Sequence, residues 1–314
     1  MRRLIRFVSK PVPLVSMVTA IIGAAFVGTS GIFVRLTTTG PFVTGFYRFL
    51  FALPFIFGWY IFEQRRGEKE ASRKFRFKDW ILVGVTGLAF ALDVALWNYS
   101  LDHTTVVNSS VFNNFTAFFV PLYVWVLFSE RPGIHFLFAG IFGLFGSFLL
   151  AGGGLEMKCE TLKGDLLAIL ASTTYSVYIV GVKQLRNRFA SSSIMMALAI
   201  VSAVSIGLLA LVRGESFYPI SPRDILFLFG MALFVHVLGQ GLLAKAMGQV
   251  SASFSAVVMF IGPLVSGALA WMLFQEVMKP LQIIGAAIVL GSIVFLQVSE
   301  AQKPSPPFWR FWEW

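Results

Sequence analysis

Long apolar segments alternate with short polar ones along the chain, and this alternation predicts helices that cross a membrane. Each apolar segment is near the ~20 residues that a helix needs to span a bilayer. We predict ten spans, at residues 12–34, 42–62, 80–100, 106–128, 134–152, 164–183, 192–212, 223–244, 252–274 and 281–298. The first is too long for the apolar core of a signal peptide and precedes no clear small-residue cleavage site, so we interpret it as a membrane helix.

Composition supports an integral membrane protein. Of the 314 residues, 57% are hydrophobic and 13% are charged, whereas about 25% of the residues in a soluble domain are charged. The net charge of +10 does not indicate nucleic-acid binding, because the basic residues lie in the connections between apolar segments. We therefore expect membrane lipid, and no nucleic acid, as a partner of the protein.

The distribution of lysine and arginine predicts the orientation in the membrane. With the N-terminus on the inner side, the inner connections carry 18 of the 25 basic residues and the outer connections carry 6. Such an excess marks the cytoplasmic side. We predict a multi-pass protein of a bacterial cytoplasmic (inner) membrane with both termini in the cytoplasm. Residues 301–314 then form a cytoplasmic tail rich in proline and aromatic residues.

The fourth and ninth spans end in similar sequences, which indicates an internal repeat. WVLFSE at 125–130 matches WMLFQE at 271–276, and glycines follow both at nearly equal distances. The repeat unit is then five spans, and because five is odd, the second copy crosses the membrane in the opposite sense. We predict an all-α integral membrane protein of ten transmembrane helices in two inverted five-helix repeats, residues 1–152 and 153–300. Inverted repeats underlie many secondary transporters, whose substrate site lies at the midplane between the copies.

Residues 90–121 form the most polar stretch in the apolar part of the chain. Asp93 lies in this stretch, and Arg48 of the second span lies at nearly the same depth, at ~1.5 Å of rise per residue. Polar groups at this depth are costly and usually face a cavity or a partner. The pair has two interpretations: an internal ion pair that fixes helix packing, or a coupling pair in which substrate or a proton competes for one partner.

Three further residues of the stretch are candidates for a substrate cavity. Asn113 and Asn114 are adjacent and point about 100° apart. We therefore expect at most one of them to face the cavity squarely and the other to bond to a neighbouring helix. Trp97 follows Asp93 by one turn and is placed to stack on an aromatic or cationic part of a substrate.

The second half contributes two pairs of candidates. Tyr175 and Tyr178 share one face of the sixth span, and we predict that this face lines the cavity because a phenol hydroxyl needs a partner. His236 and Gln240 share one face of the eighth span. His236 is a candidate for protonation during turnover, and a hydrogen-bonded packing role is the alternative.

The sequence contains no recognisable motif for a cofactor, a metal or ATP hydrolysis. It has no P-loop, H-E-x-x-H, C-x-x-C or nucleophile elbow, and Cys159 is its one cysteine. We therefore expect no cofactor, no metal site and no enzyme activity. Glu130 and Glu276, at the ends of the fourth and ninth spans, stand beside basic residues and are interpreted as hinge or loop anchors.

Several segments carry a resemblance to a known family. They are GTSGIFVRL, YRFLFALP, LDVALWNYSLDHTTVVNSSVFNN and LFSERP in the first half, and GDLLAILASTTYSVYIVGVK, HVLGQGLLAKAM and IGPLVSGALAWMLFQE in the second. Over about residues 14–298 the chain resembles EamA-type members of the drug/metabolite transporter superfamily. The resemblance implies ten helices in two inverted halves, a central cavity and alternating access. It also marks Pro263 as a hinge; the first half has Ala117 at that position and Pro121 one turn later, so we expect a displaced kink in the fourth helix.

The function predicted from these features is secondary transport of a small metabolite. The resemblance favours export of an amino-acid-like or mixed polar/aromatic molecule, with a proton as a candidate coupling ion. Uptake or exchange of a nucleotide-like metabolite such as S-adenosylmethionine is the alternative within this class. A membrane-embedded lipid-modifying enzyme and a non-transporting scaffold are the alternatives from other classes.

Overall fold

The computed structural model describes residues 13–66, 73–104, 106–129, 131–150, 161–218, 221–274 and 280–301. Within these ranges the chain forms helices joined by short connections, and no strand occurs in them. Glu130, Glu276 and Cys159, the boundary between the two predicted repeats, and all of the predicted tail beyond Ala301 lie outside the described residues. The predicted all-α class is confirmed.

The ten helices correspond to the ten predicted spans. Their bounds are α1 Leu14–Gly28 and Ser30–Leu36, α2 Pro41–Arg65, α3 Phe77–Ser100, α4 Val106–Asn113 and Thr116–Phe128, α5 Ile134–Leu150, α6 Leu162–Arg186, α7 Ser191–Val212, α8 Pro222–Ala246, α9 Ala252–Val258 and Ile261–Phe274, and α10 Pro280–Ala301. Eight of them are long and apolar enough to cross a membrane, and the shorter apolar segments Ile134–Leu150 and Pro280–Leu296 lie in α5 and α10. Large apolar side chains such as Phe142 and Leu208 are exposed on outward faces, where lipid would cover them.

Helices α4 and α9 are each interrupted at an equivalent position. Asn114, in the break of α4, lies 11 residues before Trp125, and Phe260, in the break of α9, lies 11 residues before Trp271. The helical segment Thr116–Phe128 continues through Pro121, so the interruption of α4 lies at Asn114 and Phe115, before that proline.

Local hydrogen bonds explain why α4 breaks without a proline at the break. The hydroxyl of Thr116 donates to the carbonyl of Asn113 at 2.8 Å. The backbone N–H of Phe118 donates to the carbonyl of Phe115 at 2.8 Å, and that of Ala117 to Asn114 at 3.1 Å. These bonds span three residues instead of four, so they tighten the turn and interrupt the regular helix.

Helix α8 contains a segment that the hydrophobic pattern did not predict. Residues Met231–Gln240 form a π-helix between two α-helical segments, Pro222–Gly230 and Gly241–Ala246. A π-helix widens the helical turn and is rare, and short ones are frequent at functional sites. Gln240, at the end of this segment, lines the cavity described below.

Helices of the two halves alternate in the bundle. Helix α1 packs against α8 and α9, α2 against α7 and α8, α3 against α6 and α7, α4 against α6, and α5 against α10. Close backbone approach at glycine supports two of these contacts. A Cβ at Gly28 of α1 would lie 2.6 Å from Cα of Gly262 in α9, and a Cβ at Gly285 of α10 would lie 2.6 Å from the carbonyl oxygen of Gly146 in α5. Small residues permit this proximity between membrane helices.

The variant Gly285→Ala is expected to unfold at a lower temperature than the wild type in detergent. Its methyl group would overlap the backbone of α5, and overpacking of this kind costs about 1–3 kcal/mol. Gly291→Ala on the same helix is the matched control, because a Cβ there meets nothing within 4 Å. Equal unfolding temperatures for the two variants would show that α5 and α10 do not depend on this contact.

Candidate functional site

A central cavity lies between helices of both halves. The atom-free space there is about 680 Å³, and this volume includes space that is open to solvent. The wall is formed by α1 around its break, by α2, α3 and α4, and by α6, α8 and α9. The lining residues used below are Ser30, Arg48, Asp93, Trp97, Asn113, Asn114, Tyr175, Gln240, Met259, Pro263 and Ser266.

Arg48 and Asp93 face this cavity together. Both are buried, with 5% and 7% of their surface exposed, and they interact electrostatically. Among the residues that the structure describes, however, neither forms a hydrogen bond or a salt bridge within 4.0 Å with the other. The guanidinium of Arg48 lies 5.8 Å from the ring centroid of Phe90. The two charges therefore share one cavity without a direct bond between them.

Five buried polar atoms of the cavity wall have no hydrogen-bond partner among the described residues. They are Ser30 Oγ, Arg48 Nε, Asp93 Oδ1, Trp97 Nε1 and Asn113 Oδ1. A buried polar group without a partner costs about 1–3 kcal/mol, and such groups need an explanation. All five belong to residues that line this one cavity, where a polar ligand would supply the missing hydrogen-bond partners. Ser30 was missed at the level of sequence, since nothing distinguishes it from other serines before the break in α1 is known.

Gln240 joins the two tyrosines of α6. Its Oε1 accepts from the hydroxyl of Tyr178 at 3.2 Å, and its Nε2 donates to the hydroxyl of Tyr175 at 3.1 Å. Tyr175 lines the cavity, but Tyr178 lies behind it, stacked on Phe90 with ring centroids 4.0 Å apart. The placement of Tyr178 at the cavity wall is thus corrected: both hydroxyls have partners, and only one tyrosine reaches the wall.

His236 also lies one layer behind the cavity. Its ring packs edge-on against Phe49 at 5.1 Å and stacks on Phe90 at 5.7 Å. The side chain is fully buried, and neither ring nitrogen has a hydrogen-bond partner among the described residues. His236 therefore does not line the cavity wall as expected, because the aromatic rings of α2 and α3 enclose it, whereas Gln240 four residues later does.

Both asparagines at the break of α4 line the cavity. Asn114 also donates from Nδ2 to the hydroxyl of Ser147 in α5 at 3.3 Å, while Oδ1 of Asn113 has no partner among the described residues. One asparagine thus bonds to a neighbouring helix and the other presents a free acceptor. The interruption of the helix lets two consecutive side chains reach the same cavity.

Pro263 lines the cavity at the break of α9. A proline cannot donate to the carbonyl four residues earlier, which here belongs to Met259. The N–H of Gly262 donates to that carbonyl instead, at 2.9 Å. Ser266 of the same helix donates to the carbonyl of Gly28 in the facing helix α1 at 2.6 Å, next to the break of α1. Both interruptions are therefore stabilised by short local or interhelical bonds at the cavity.

The chain is similar to known transporters over most of its length. The model of the EamA-like transporter family matches residues 14–152 and again residues 162–298. An uncharacterized transporter of Archaeoglobus fulgidus is 24% identical over 281 residues, which cover 87% of this chain and 94% of the relative. The uncharacterized transporter YcxC of Bacillus subtilis is 20% identical over 309 residues, which cover 92% of this chain and 95% of the relative.

A solved crystal structure shows the same fold. It superposes with a TM-score of 0.75 over 92% of this chain and 99% of its own, at 14% sequence identity.

Removal of the polar side-chain atoms of Gln240 and of Ser30 is expected to have different effects on the unfolding temperature. Gln240→Met leaves two buried tyrosine hydroxyls without their partner, so the unfolding temperature in detergent should fall, by a free energy of about 1–3 kcal/mol. Ser30→Ala removes a buried hydroxyl that has no partner among the described residues, so its unfolding temperature should stay equal or rise. A fall of equal size in both variants would contradict the hydrogen-bond assignment at Gln240.

Proposed function

Since the chain belongs to the EamA-like transporter family, we propose that it is a secondary transporter that carries a small metabolite through the central cavity by alternating access. The observation that carries this proposal is the convergence of five unpartnered polar atoms on one cavity between the helices of both halves. A membrane bundle tolerates such groups where they face a substrate path. The surrounding bilayer and a small-molecule substrate are then the partners of the protein.

The two halves are proposed to be inverted repeats, and the family model supports this by matching each half separately. Interhelical contacts support it further. If α1 to α5 correspond to α6 to α10, the contact of α3 with α6 corresponds to that of α8 with α1, and the contact of α4 with α6 to that of α9 with α1. Both members of each pair are present.

Polar contacts at the helix ends follow the same exchange. Asp79, at the start of α3, pairs with Arg188 in the connection after α6. Asp224, at the start of α8, accepts from the N–H and hydroxyl of Thr38 in the connection after α1, at 2.8 and 2.7 Å. If the two halves are exchanged, the position of one contact becomes the position of the other. The first contact is an ion pair and the second consists of two hydrogen bonds.

A second exchange links α2 with α7. Near the end of α2, Glu63 accepts from the hydroxyl of Ser192 at the start of α7. Just after α7, Glu215 accepts from the backbone N–H groups of Phe42 and Val43 at the start of α2, at 3.1 and 2.8 Å. These two contacts lie at opposite ends of α2 and join the halves at both ends of the bundle. Alternating access then requires one end to open while the other stays joined.

The cavity chemistry favours a substrate with both signs of charge. The carboxylate of Asp93 suits an ammonium group, and the guanidinium of Arg48 suits a carboxylate, which it binds through two parallel hydrogen bonds. Trp97 offers an aromatic face and a free donor. An amino-acid-like metabolite fits this arrangement. S-Adenosylmethionine carries the same amino-acid group and an aromatic base, so it is the second candidate.

The proposal includes a proton as the coupling ion, export as the direction of transport and cytoplasmic termini. Asp93 is the proposed proton carrier because its carboxylate faces the cavity, and His236 is the secondary candidate one layer behind. Export across a bacterial cytoplasmic membrane is the proposed direction, taken from the family resemblance. The excess of lysine and arginine on one side supports cytoplasmic termini.

Asp93→Asn is expected to lower substrate flux at least tenfold in proteoliposomes that contain only this protein, because the neutral amide can neither bind an ammonium group as an ion pair nor carry a proton. Asp102→Asn is the matched control, since Asp102 is exposed in the turn after α3 and should transport normally. Flux is measured over amino acids and S-adenosylmethionine separately. Normal flux through Asp93→Asn would exclude this role, and no flux of the wild type over the panel would favour a scaffold or a lipid-modifying enzyme.

Glu63→Ala and Glu215→Ala are expected to open opposite ends of the cavity, because each removes a contact between the halves at one end of α2. Access is measured in a Cys159→Ser background with a cysteine introduced at Ser266, using a membrane-impermeant thiol reagent on each side of oriented vesicles. Each variant should raise labelling at least severalfold from one side and not from the other. Increases from the same side in both variants would contradict the inverted arrangement.

A further inference from the structure

One end of the bundle carries exposed basic side chains that the transport site does not use. Six of them lie at the end of α2 and around the start of α3: Arg65, Arg66, Arg73, Lys74, Arg76 and Lys78. Two acidic residues of the same helix ends, Glu63 and Asp79, are buried and bind Ser192 and Arg188. Residues 67–72 add two glutamates and one lysine. The cluster therefore keeps an excess of positive charge.

Residues 73–80, which we call the basic–aromatic strip, are held against the connection between α6 and α7. Phe75 stacks on Phe189 with ring centroids 4.1 Å apart and an angle of 14° between the rings. Asp79 pairs with Arg188 and accepts the backbone N–H of Arg76 at 2.8 Å. These contacts with Phe189 and Arg188 hold the strip against the second half of the chain.

Exposed aromatic residues lie among these cations. Phe77 is 81% exposed and Trp80 is 52% exposed, both in the first turn of α3, where aromatic side chains favour the membrane–water interface. Three basic residues at the opposite end of the bundle lie over aromatic rings, as Arg66 does over Phe62 at 4.3 Å at this end. Lys163, Arg213 and Arg223 lie over aromatic rings at 5.3, 5.3 and 5.5 Å.

We propose that the basic–aromatic strip binds the headgroups of anionic phospholipids. The side chains of Arg73, Lys74 and Arg76 receive the phosphate and its negative charge, and Phe77 and Trp80 enter the interface beside them. Charge complementarity selects anionic over zwitterionic lipid, because the two acidic groups described there are already engaged inside the protein.

The test is a titration of the purified full-length protein with phosphatidylglycerol and with phosphatidylcholine of the same acyl chains, followed by native mass spectrometry. Each basic side chain near an anionic lipid contributes about fivefold to binding. The triple variant Arg73→Gln, Lys74→Gln, Arg76→Gln should therefore bind phosphatidylglycerol at least tenfold more weakly. The control, Lys163→Gln, Arg213→Gln, Arg223→Gln, loses the same charge at the opposite end and should bind it as the wild type does.

Unfolding temperatures in detergent show whether each variant is folded. If the triple variant does not fold, Lys74→Gln alone provides the test, with an expected loss of about fivefold. Equal retention of phosphatidylglycerol by both triple variants would overturn the proposal. Equal retention of phosphatidylglycerol and phosphatidylcholine by the wild type would overturn it as well, since it would show binding without charge selection.

Discussion

The cost of an unpaired polar group inside a membrane bundle is the constraint on which this structure depends. Such a group costs about 1–3 kcal/mol in protein interiors, and lipid offers it no partner. Away from the cavity, some buried groups bond across helices: Asn98 donates from Nδ2 to the carbonyl of Pro41 at 2.8 Å, and Ser202 to that of Gly87 at 2.8 Å. Others do not, because Oγ1 of Thr86, Oδ1 of Asn98 and both ring nitrogens of His236 have no partner among the described residues. Five further unpartnered atoms belong to residues that line one cavity, so a polar ligand would gain most there.

Close backbone contact makes room for this arrangement. Glycine at Gly23 and Gly28 lets α1 approach α8 and α9 until backbone meets backbone, and small residues allow such packing in membranes. The same approach places Ser266 against the carbonyl of Gly28. A hydrogen bond from another helix therefore satisfies one of the backbone carbonyls at the break in α1.

Much of the fold was predictable, because a helix that crosses a membrane needs about 20 predominantly apolar residues, and such segments are visible in the sequence. All ten spans agree with the structure to within a few residues at the ends that are described. The π-helix at Met231–Gln240 and the break at Asn114 were not predictable in this way, since hydrogen-bond geometry decides them and hydropathy does not report it. Of the cavity residues, Asp93 and Asn113 stood out because polar groups in apolar spans are rare. Ser30 and Met259 did not, because their role depends on helix breaks that only the three-dimensional structure reveals.

The proposed repeat is less symmetric at the cavity than at the helix ends. Under that correspondence, α1 is interrupted at Thr29 while its partner α6 runs unbroken through Leu162–Arg186. Likewise α8 contains the π-helix while α3 is regular over Phe77–Ser100. The contacts at the helix ends occupy equivalent positions in the two halves and join the bundle at both ends. The irregular helices α1 and α8 pack against each other and bring Ser30 and Gln240 to the wall, so the cavity wall is asymmetric where the two halves differ.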